Sequence, residues 1–294
     1  MRRGIDHLVL AVKDLDSACT FYERLGFRLT PPAQHPFGTG NRLAQLGNDF
    51  LEIVSVTNPQ DLIEHKEGAF SFGAYNRDYL SAREGMSMIA LKSDGWEQDR
   101  RSFFDAGFDL PEPFTFSRLA RQPDGREVKV GFDLTFVPDA ALPDAVFFTC
   151  DHQHEPEFFY KPEFQKHDNG ALAVDEVIMV CHDPDKLRMF FQRLYGSESI
   201  TERAGVLSVQ GGGFCFSVLS VAQLQARFQM EAPVDITGDG VFAGSRIRVS
   251  DLQNMRALLR DNEVKHADQG DCLRLFAFGA CIEFSSNACC EDIK

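Results

Sequence analysis

A chain of 294 residues with 44% hydrophobic content has material for two domains of ordinary size, each with its own core. A formal net charge of -14, with no basic run longer than Arg2-Arg3 or Arg100-Arg101, excludes a surface that tracks phosphates, so nucleic acid is not an expected partner. No apolar run reaches the ~18 residues that span a bilayer, and Met1-Arg2-Arg3 leads at once into a charged, strand-like segment, so no membrane association is expected and the cytoplasm is the expected compartment.

From Gly4 to Gly26 the chain reads strand, turn, amphipathic helix, stop. Ile5 to Val12 is almost unbroken apolar sequence, and its β-branched content and short length favour a strand. Ile5, His7, Val9 and Ala11 then share one face, which makes His7 a lone polar group among apolar neighbours. Asp14 is the expected N-cap of a helix carrying Leu15, Ala18, Cys19, Tyr22 and Leu25 at helical spacing, and Gly26 ends it.

Strands are expected over Phe27 to Thr30, Asn41 to Leu46 and Asp49 to Val56, which completes a βαβββ unit. Thr57 to Glu84 is expected to be an irregular or helical excursion. Gly85 to Lys92 restarts the pattern, with a helix to Gly107, a loop-rich stretch from Asp109 to Gly125, and strands over Arg126 to Val137 and Ala145 to Asp151. The charged, aromatic, Pro-containing stretch from His152 to Asn169 reads as the boundary between halves.

The opening pattern returns near Ala173: Asp14, Asp16, Phe21, Arg24 and Leu25 meet Asp183, Asp185, Phe190, Arg193 and Leu194 in one register. Glu176 falls where the first unit has His7. A fourth unit starts near Phe242, and its Cys281-Ile282-Glu283-Phe284 resembles Phe50-Leu51-Glu52-Ile53. Such units bury their edges by pairing, two to a domain, with a cleft between paired sheets. The expected architecture is α+β: four βαβββ modules in two domains with curved, cleft-forming mixed sheets. The expected boundaries are 1–155, a linker over 156–172, and 173–290 for a degenerate second copy.

These repeats, with HPFGTGNRLAQLGNDFLEIVSV from His35 to Val56 and VFFTCDHQHEPEFFYKPEFQKHDNG from Val146 to Gly170, resemble the vicinal oxygen chelate superfamily, the first unit most of all its glyoxalase-like branch. The superfamily spans isomerases, lyases, dioxygenases and non-catalytic binders, so fold does not fix activity. In its metal-using members an inward residue on the first strand and a Glu on the last strand of each unit hold one divalent ion. His7 and Glu52 match these positions, while the second unit offers Ser87 and the Phe148 to His152 segment, in which His152, or His154 beyond it, would complete the site. The resemblance implies a divalent-metal-dependent lyase or isomerase using Zn, Ni, Mn or Fe and no nucleotide cofactor, with a metal-free sequestering protein and an extradiol-type dioxygenase as alternatives. Glu52 is the expected catalytic base or ligand, and His35, Asn41 and Arg42, on a glycine-containing loop leading into a strand, are the expected contacts to a small-molecule substrate. Glu176 and Glu283 would be a degenerate copy serving structure or a homodimer contact.

Bland readings stand beside these. A lone inward His is commonly a satisfied core residue, Glu52 could pair with Arg42 on the neighbouring strand, and His152 and His154 could be surface histidines. Gly211-Gly212-Gly213 suits a hairpin turn and not a phosphate loop. The eight cysteines include no CxxC pair and read as reduced core residues, with Cys289-Cys290 as a tail or a metal or redox pair.

Overall fold

A computed structural model describes residues 2–122, 125–229 and 235–288, so Cys289-Cys290 lie outside the described residues. The first half runs β1 (Ile5–Ala11), α1 (Leu15–Arg24), β2 (Ala33–Gln34), β3 (Thr39–Gln45), β4 (Phe50–Val56), α2 (Phe72–Ala82), β5 (Gly85–Lys92), α3 (Trp96–Asp105), β6 (Phe114–Arg121), β7 (Glu127–Val137), β8 (Val146–His152) and α4 (Pro156–Phe159). The second runs β9 (Ala171–Cys181), α5 (Asp185–Tyr195), β10 (Ile200–Arg203), β11 (Val206–Gln210), β12 (Cys215–Ser220), α6 (Val221–Phe228), β13 (Val241–Val249), α7 (Leu252–Asp261), β14 (Ala267–Asp268), β15 (Cys272–Ala277) and β16 (Ala280–Ser285).

Each half is one mixed 8-stranded sheet, ordered β2-β3-β4-β1-β5-β8-β7-β6 and β10-β11-β12-β9-β13-β16-β15-β14. In both, two βαβββ units meet at an antiparallel seam, β1 with β5 and β9 with β13, while each first strand pairs in parallel with the last strand of its own unit. The α+β expectation of four paired modules is the architecture observed.

Local chemistry accounts for the repeating strand-helix start. The Asp14 carboxylate accepts from the Ser17 backbone N–H at 3.0 Å, closing the first turn of α1, and Ala18, Cys19 and Tyr22 are its buried residues. Gly26 has φ +83, and a Cβ there would stand 2.9 Å from the Asn169 backbone nitrogen, so the turn out of α1 requires glycine.

Both faces of β1 are buried, against different cores. Leu8 and Leu10, with Ile53, Met86 and Ile89, join Val177, Met179, Phe216 and Phe242 in a core that spans the two halves. Val9 and Ala11, with Phe50, Met88, Phe132, Phe136 and Phe148, line the opposite, concave side of the first sheet under α2. Each fully buried side chain of this kind contributes roughly 1.5–3 kcal/mol, which makes the seam strands the most strongly fixed part of the scaffold.

Two segments differ from the sequence reading. Phe27 to Thr30 forms no strand; Phe27 and Leu29 are buried in the shared core, and Thr30 makes a single backbone bond to Leu43. The stretch expected to be loop-rich holds β6, which pairs with β7 along eight registered positions from Phe114↔Leu134 to Arg121↔Glu127. Among the described residues no helix is long and apolar enough to cross a membrane.

Candidate functional site

The concave face of the first sheet encloses a cavity of ≈ 460 Å³ including its mouth. It suits a compact occupant. Phenylalanines supply the largest share of its wall, and His7, His35, Asn41, Glu52 and Arg118 supply its polar groups.

Strand alternation delivers the polar set. His7 on β1 and Glu52 on β4 both face inward, and His7 Nε2 lies 3.6 Å from Glu52 Oε2. Phe50, the registered neighbour of His7, stacks on its ring at 4.5 Å between centroids. Asn41 on β3 faces the same side; its Nδ2 donates to Glu52 Oε1 at 2.5 Å and lies 3.3 Å from His35 Nε2. His35 Nδ1 is 2.8 Å from Thr39 Oγ1, and its Nε2 is 3.7 Å from Glu52 Oε1. Burial pushes the His35 imidazolium down to about 4 against the opposing pull of Glu52. His35 is thus a neutral imidazole near pH 7.

Arg42, expected beside Asn41 as a substrate contact, points to the other face of β3. Its Nε donates to Thr30 O at 2.8 Å, and its guanidinium pairs with Glu23 of α1 at 2.9 Å. Adjacent strand residues cannot share a face, so Arg42 neither lines the cavity nor pairs with Glu52.

His152 does not join Glu52 either. Its Nε2 reaches Asp6 Oδ2 at 3.1 Å, and Asp6 Oδ1 is 2.6 Å from His7 Nδ1, so a carboxylate separates the two imidazoles. Alternation alone would send Asp6 away from His7. A bulge between Ile5 and His7 at the seam with β5 turns its side chain back. Burial raises the Asp6 carboxyl, but the hydrogen bonds from His152 and His7 more than offset it and hold the group well below the ordinary carboxylate range. His154 bonds the Gly131 carbonyl through Nδ1 at 3.0 Å.

The seam also identifies the second unit's positions. His7 registers with Ala90 and Val9 with Met88, so the local two-fold makes Met88 the counterpart of His7, in place of the Ser87 expected from sequence. Glu52 lies opposite Val9, and Phe148 lies opposite Ala90, so Phe148 is the counterpart of Glu52. Ser87 donates instead to Asn76 of α2 at 2.8 Å. Only two of the four positions therefore carry strong metal donors.

The other concave face is sealed. Arg227 from α6 holds Glu176 with two bonds of 2.8 and 2.7 Å and Glu283 at 2.9 Å, while Arg246 and Arg274 reach Glu283 at 2.6 and 2.5 Å. By register the counterpart of Glu52 in this half is Ser217, and that of His7 in its second unit is Gly244.

Sequence reasoning missed Asp6, Cys150 and Arg118. Asp6, His7 and Cys150 offer ligand atoms within 4.8 Å of one another. Cys150 is buried, and burial first, then Asp6 and Glu52, push its thiol up. The alternation Phe114, Phe116, Arg118 was the available signal for β6.

A family of glyoxalase-like domains matches residues 5–195. No curated protein matches the chain. Among solved structures, a hypothetical protein from Staphylococcus aureus shares 13% identity at a TM-score of 0.69, with 96% of this chain and 98% of that one covered. A substituted 4-hydroxymandelate synthase from Streptomyces coelicolor shares 12% at 0.53, covering 96% and 92%. A 2,2',3-trihydroxybiphenyl 1,2-dioxygenase from Sphingomonas wittichii shares 10% at 0.51, covering 97% and 90%. These likenesses show the fold alone. The two eight-stranded sheets of paired βαβββ units and the match over residues 5–195 show that this chain belongs to the glyoxalase-like domain family of the vicinal oxygen chelate superfamily.

Proposed function

We propose that the N-terminal cavity binds a small oxygen-bearing metabolite and acts on it as a divalent-metal-dependent lyase or isomerase. The observation that carries this reading is the 3.6 Å approach of His7 Nε2 to Glu52 Oε2 on the cavity wall, with the other nitrogen of His7 engaged by Asp6. An imidazole donating its far N–H to a carboxylate while its near nitrogen faces a second carboxylate is the arrangement that metal-ligating histidines use.

His7 and Glu52 would hold the ion, with His35 as the third donor because its Nε2 lies within 3.7 Å of Glu52. The buried Asn41 Oδ1, which has no hydrogen-bond partner among the described residues, is a further oxygen available in the same place. Bound there, a divalent ion supplies Lewis acidity toward an oxygen of the substrate. The chain's own contribution is to keep Glu52 Oε1 engaged by Asn41, so that Oε2, where it is not spent on the ion, takes a proton from a substrate carbon. The phenylalanine walls exclude bulk water from that step.

A second reading, metal-free sequestration of a small molecule, is supported by Met88 and Phe148 at the other two ligand positions. An extradiol-type dioxygenase is a third, supported by two imidazoles and one carboxylate, His7, His35 and Glu52, on one cavity wall. The sealed C-terminal cleft is left to structure or to a contact between copies. Buried reduced thiols such as Cys19, Cys150 and Cys181 support the cytoplasm.

Metal analysis of the full chain purified without chelator tests the proposal. Stoichiometric Zn, Ni, Mn or Fe that is lost in His7→Ala supports it. Protein that stays metal-free after incubation with each ion, yet binds small molecules, overturns the metal in favour of the second reading.

A further inference from the structure

We infer that the occupant of the N-terminal cavity is an organic anion, a small carboxylate on a flat apolar body, whose charged end is received by the Arg118 guanidinium. The inference deepens the reading of this cavity as a ligand site and rests on it.

Arg118 stands on the inward face of β6, where its neighbours at the same spacing, Phe114, Phe116 and Ala120, pack against the concave core. An arginine in that row replaces what packing alone would fill with an apolar residue. Its guanidinium lines the cavity, yet it forms no hydrogen bond or ion pair with any of the described residues. Burial lowers its readiness to carry charge, and Glu52, beyond ion-pair reach, is the acidic group that counters this. A partly buried cation without a partner is costly, and five fixed N–H donors match a carboxylate in a way that an ammonium does not.

The rest of the wall defines the body of the ligand. Phe37, Phe116 and Phe132 meet edge-on or stacked, with centroids 5.0–5.1 Å apart, a packed row of rings that gives the cavity one aromatic wall. A cavity of ≈ 460 Å³ including its mouth suits a compact occupant. Glu52 shares the cavity, so the ligand's anionic end belongs at Arg118 and its uncharged oxygens toward His7 and Glu52. The chain's formal net charge of -14 provides no general attraction for anions, which leaves the selection to this one side chain.

Calorimetric titration of the full chain with benzoate and phenylacetate, against the neutral isosteres benzamide and phenylacetamide, tests the assignment. The acids should bind about tenfold or more tightly than the amides, as expected for a charge-assisted bidentate pair. Arg118→Met should remove that preference while leaving amide binding in place, and Arg118→Lys should keep part of it. Melting temperature separates function from scaffold: because Arg118 has no partner to lose, Arg118→Met should melt at the wild-type temperature or above. Equal binding of acids and amides, or an acid preference that survives in Arg118→Met, overturns the inference while the cavity reading stands. If no probe binds the wild type, the inference also falls, and the metal analysis above then decides the cavity reading alone.

Discussion

Asp6 Oδ1 lies 2.6 Å from His7 Nδ1, and this contact fixes which nitrogen of His7 faces the cavity. A carboxylate only accepts, so the proton of that contact sits on Nδ1 and Nε2 is left toward Glu52. Asp6→Asn keeps the shape and removes the charge that raises the basicity of Nε2. Metal affinity, measured by competition with a chromophoric chelator, should fall about 10–100-fold. The Asp6 carboxyl is held below its ordinary 3.8, so its stabilisation is present above that value and lost as pH falls beneath it. The variant should therefore also show a shallower acid limb in thermal melts. Unchanged affinity would remove Asp6 from the site.

His152 provides the contrasting case. It touches both carboxylate oxygens of Asp6, at 3.3 and 3.1 Å, and stacks near Tyr160, with centroids 6.3 Å apart. His152→Ala should keep metal stoichiometry, whereas His7→Ala should abolish it. Elemental analysis of both variants, prepared in parallel, checks this. Loss of metal from both would return His152 to the ligand set.

The sealed second cleft gives a stability prediction. Arg227 neutralises two buried carboxylates, so Arg227→Met leaves Glu176 without its two-pronged partner and should cost about 3–5 kcal/mol in urea unfolding. Binding in the N-terminal cavity should not change, because the site lies on the opposite concave face. In the wild type, burial raises the Glu283 carboxyl, but the surrounding guanidiniums outweigh it and bring the group down to about 2. Its contribution is present above 4.5 and lost as pH falls toward 2, so wild type and Arg227→Met should converge in stability at the acid end. A variant as stable as wild type at pH 7 would show that the network is dispensable.

How far the sequence disclosed the site depends on how regular each strand is. His7, Glu52 and Asn41 were legible because alternation holds along β3, along β4 and along β1 from His7 onward, and the same rule, applied to the next residue, would have removed Arg42. Asp6 was not legible: a bulge reverses its direction, and no local composition marks it. Met88 was mistaken for Ser87 because the seam between β1 and β5 sets the counterpart through a long-range register that neither strand encodes alone. Arg118 was hidden behind a stretch of Pro, Asp and Gly that reads as loop, although Phe114, Phe116 and Arg118 alternate as a strand. The Arg227 seal was invisible because it comes from α6, outside the repeated βαβββ pattern. The fold was legible as a whole because repetition, unlike a single site, is tested again in each unit.

Asp49 carries the last prediction, at the contact between halves. The residue is 8% exposed; Oδ2 accepts weakly from the Val174 backbone N–H at 3.5 Å and Oδ1 has no hydrogen-bond partner among the described residues. Burial pushes its carboxyl up to about 7, against the Val174 N–H and Lys92 and with help from Asp175 and Asp6. A buried acid raised above its ordinary 3.8 keeps a proton that the unfolded chain releases. Stability is therefore fullest below that value, falls as pH rises from about 4 to about 7, and is level beyond. This window lies above that of Asp6, so the two do not cancel. Asp49→Asn stays uncharged throughout; it should match wild type near pH 4 and exceed it at pH 8 by about 1–4 kcal/mol, one pKa unit being worth about 1.4. Urea midpoints at pH 4, 6 and 8 provide the measurement. Parallel curves for the two proteins would mean that Asp49 is charged in the folded chain and that the junction between halves tolerates the charge.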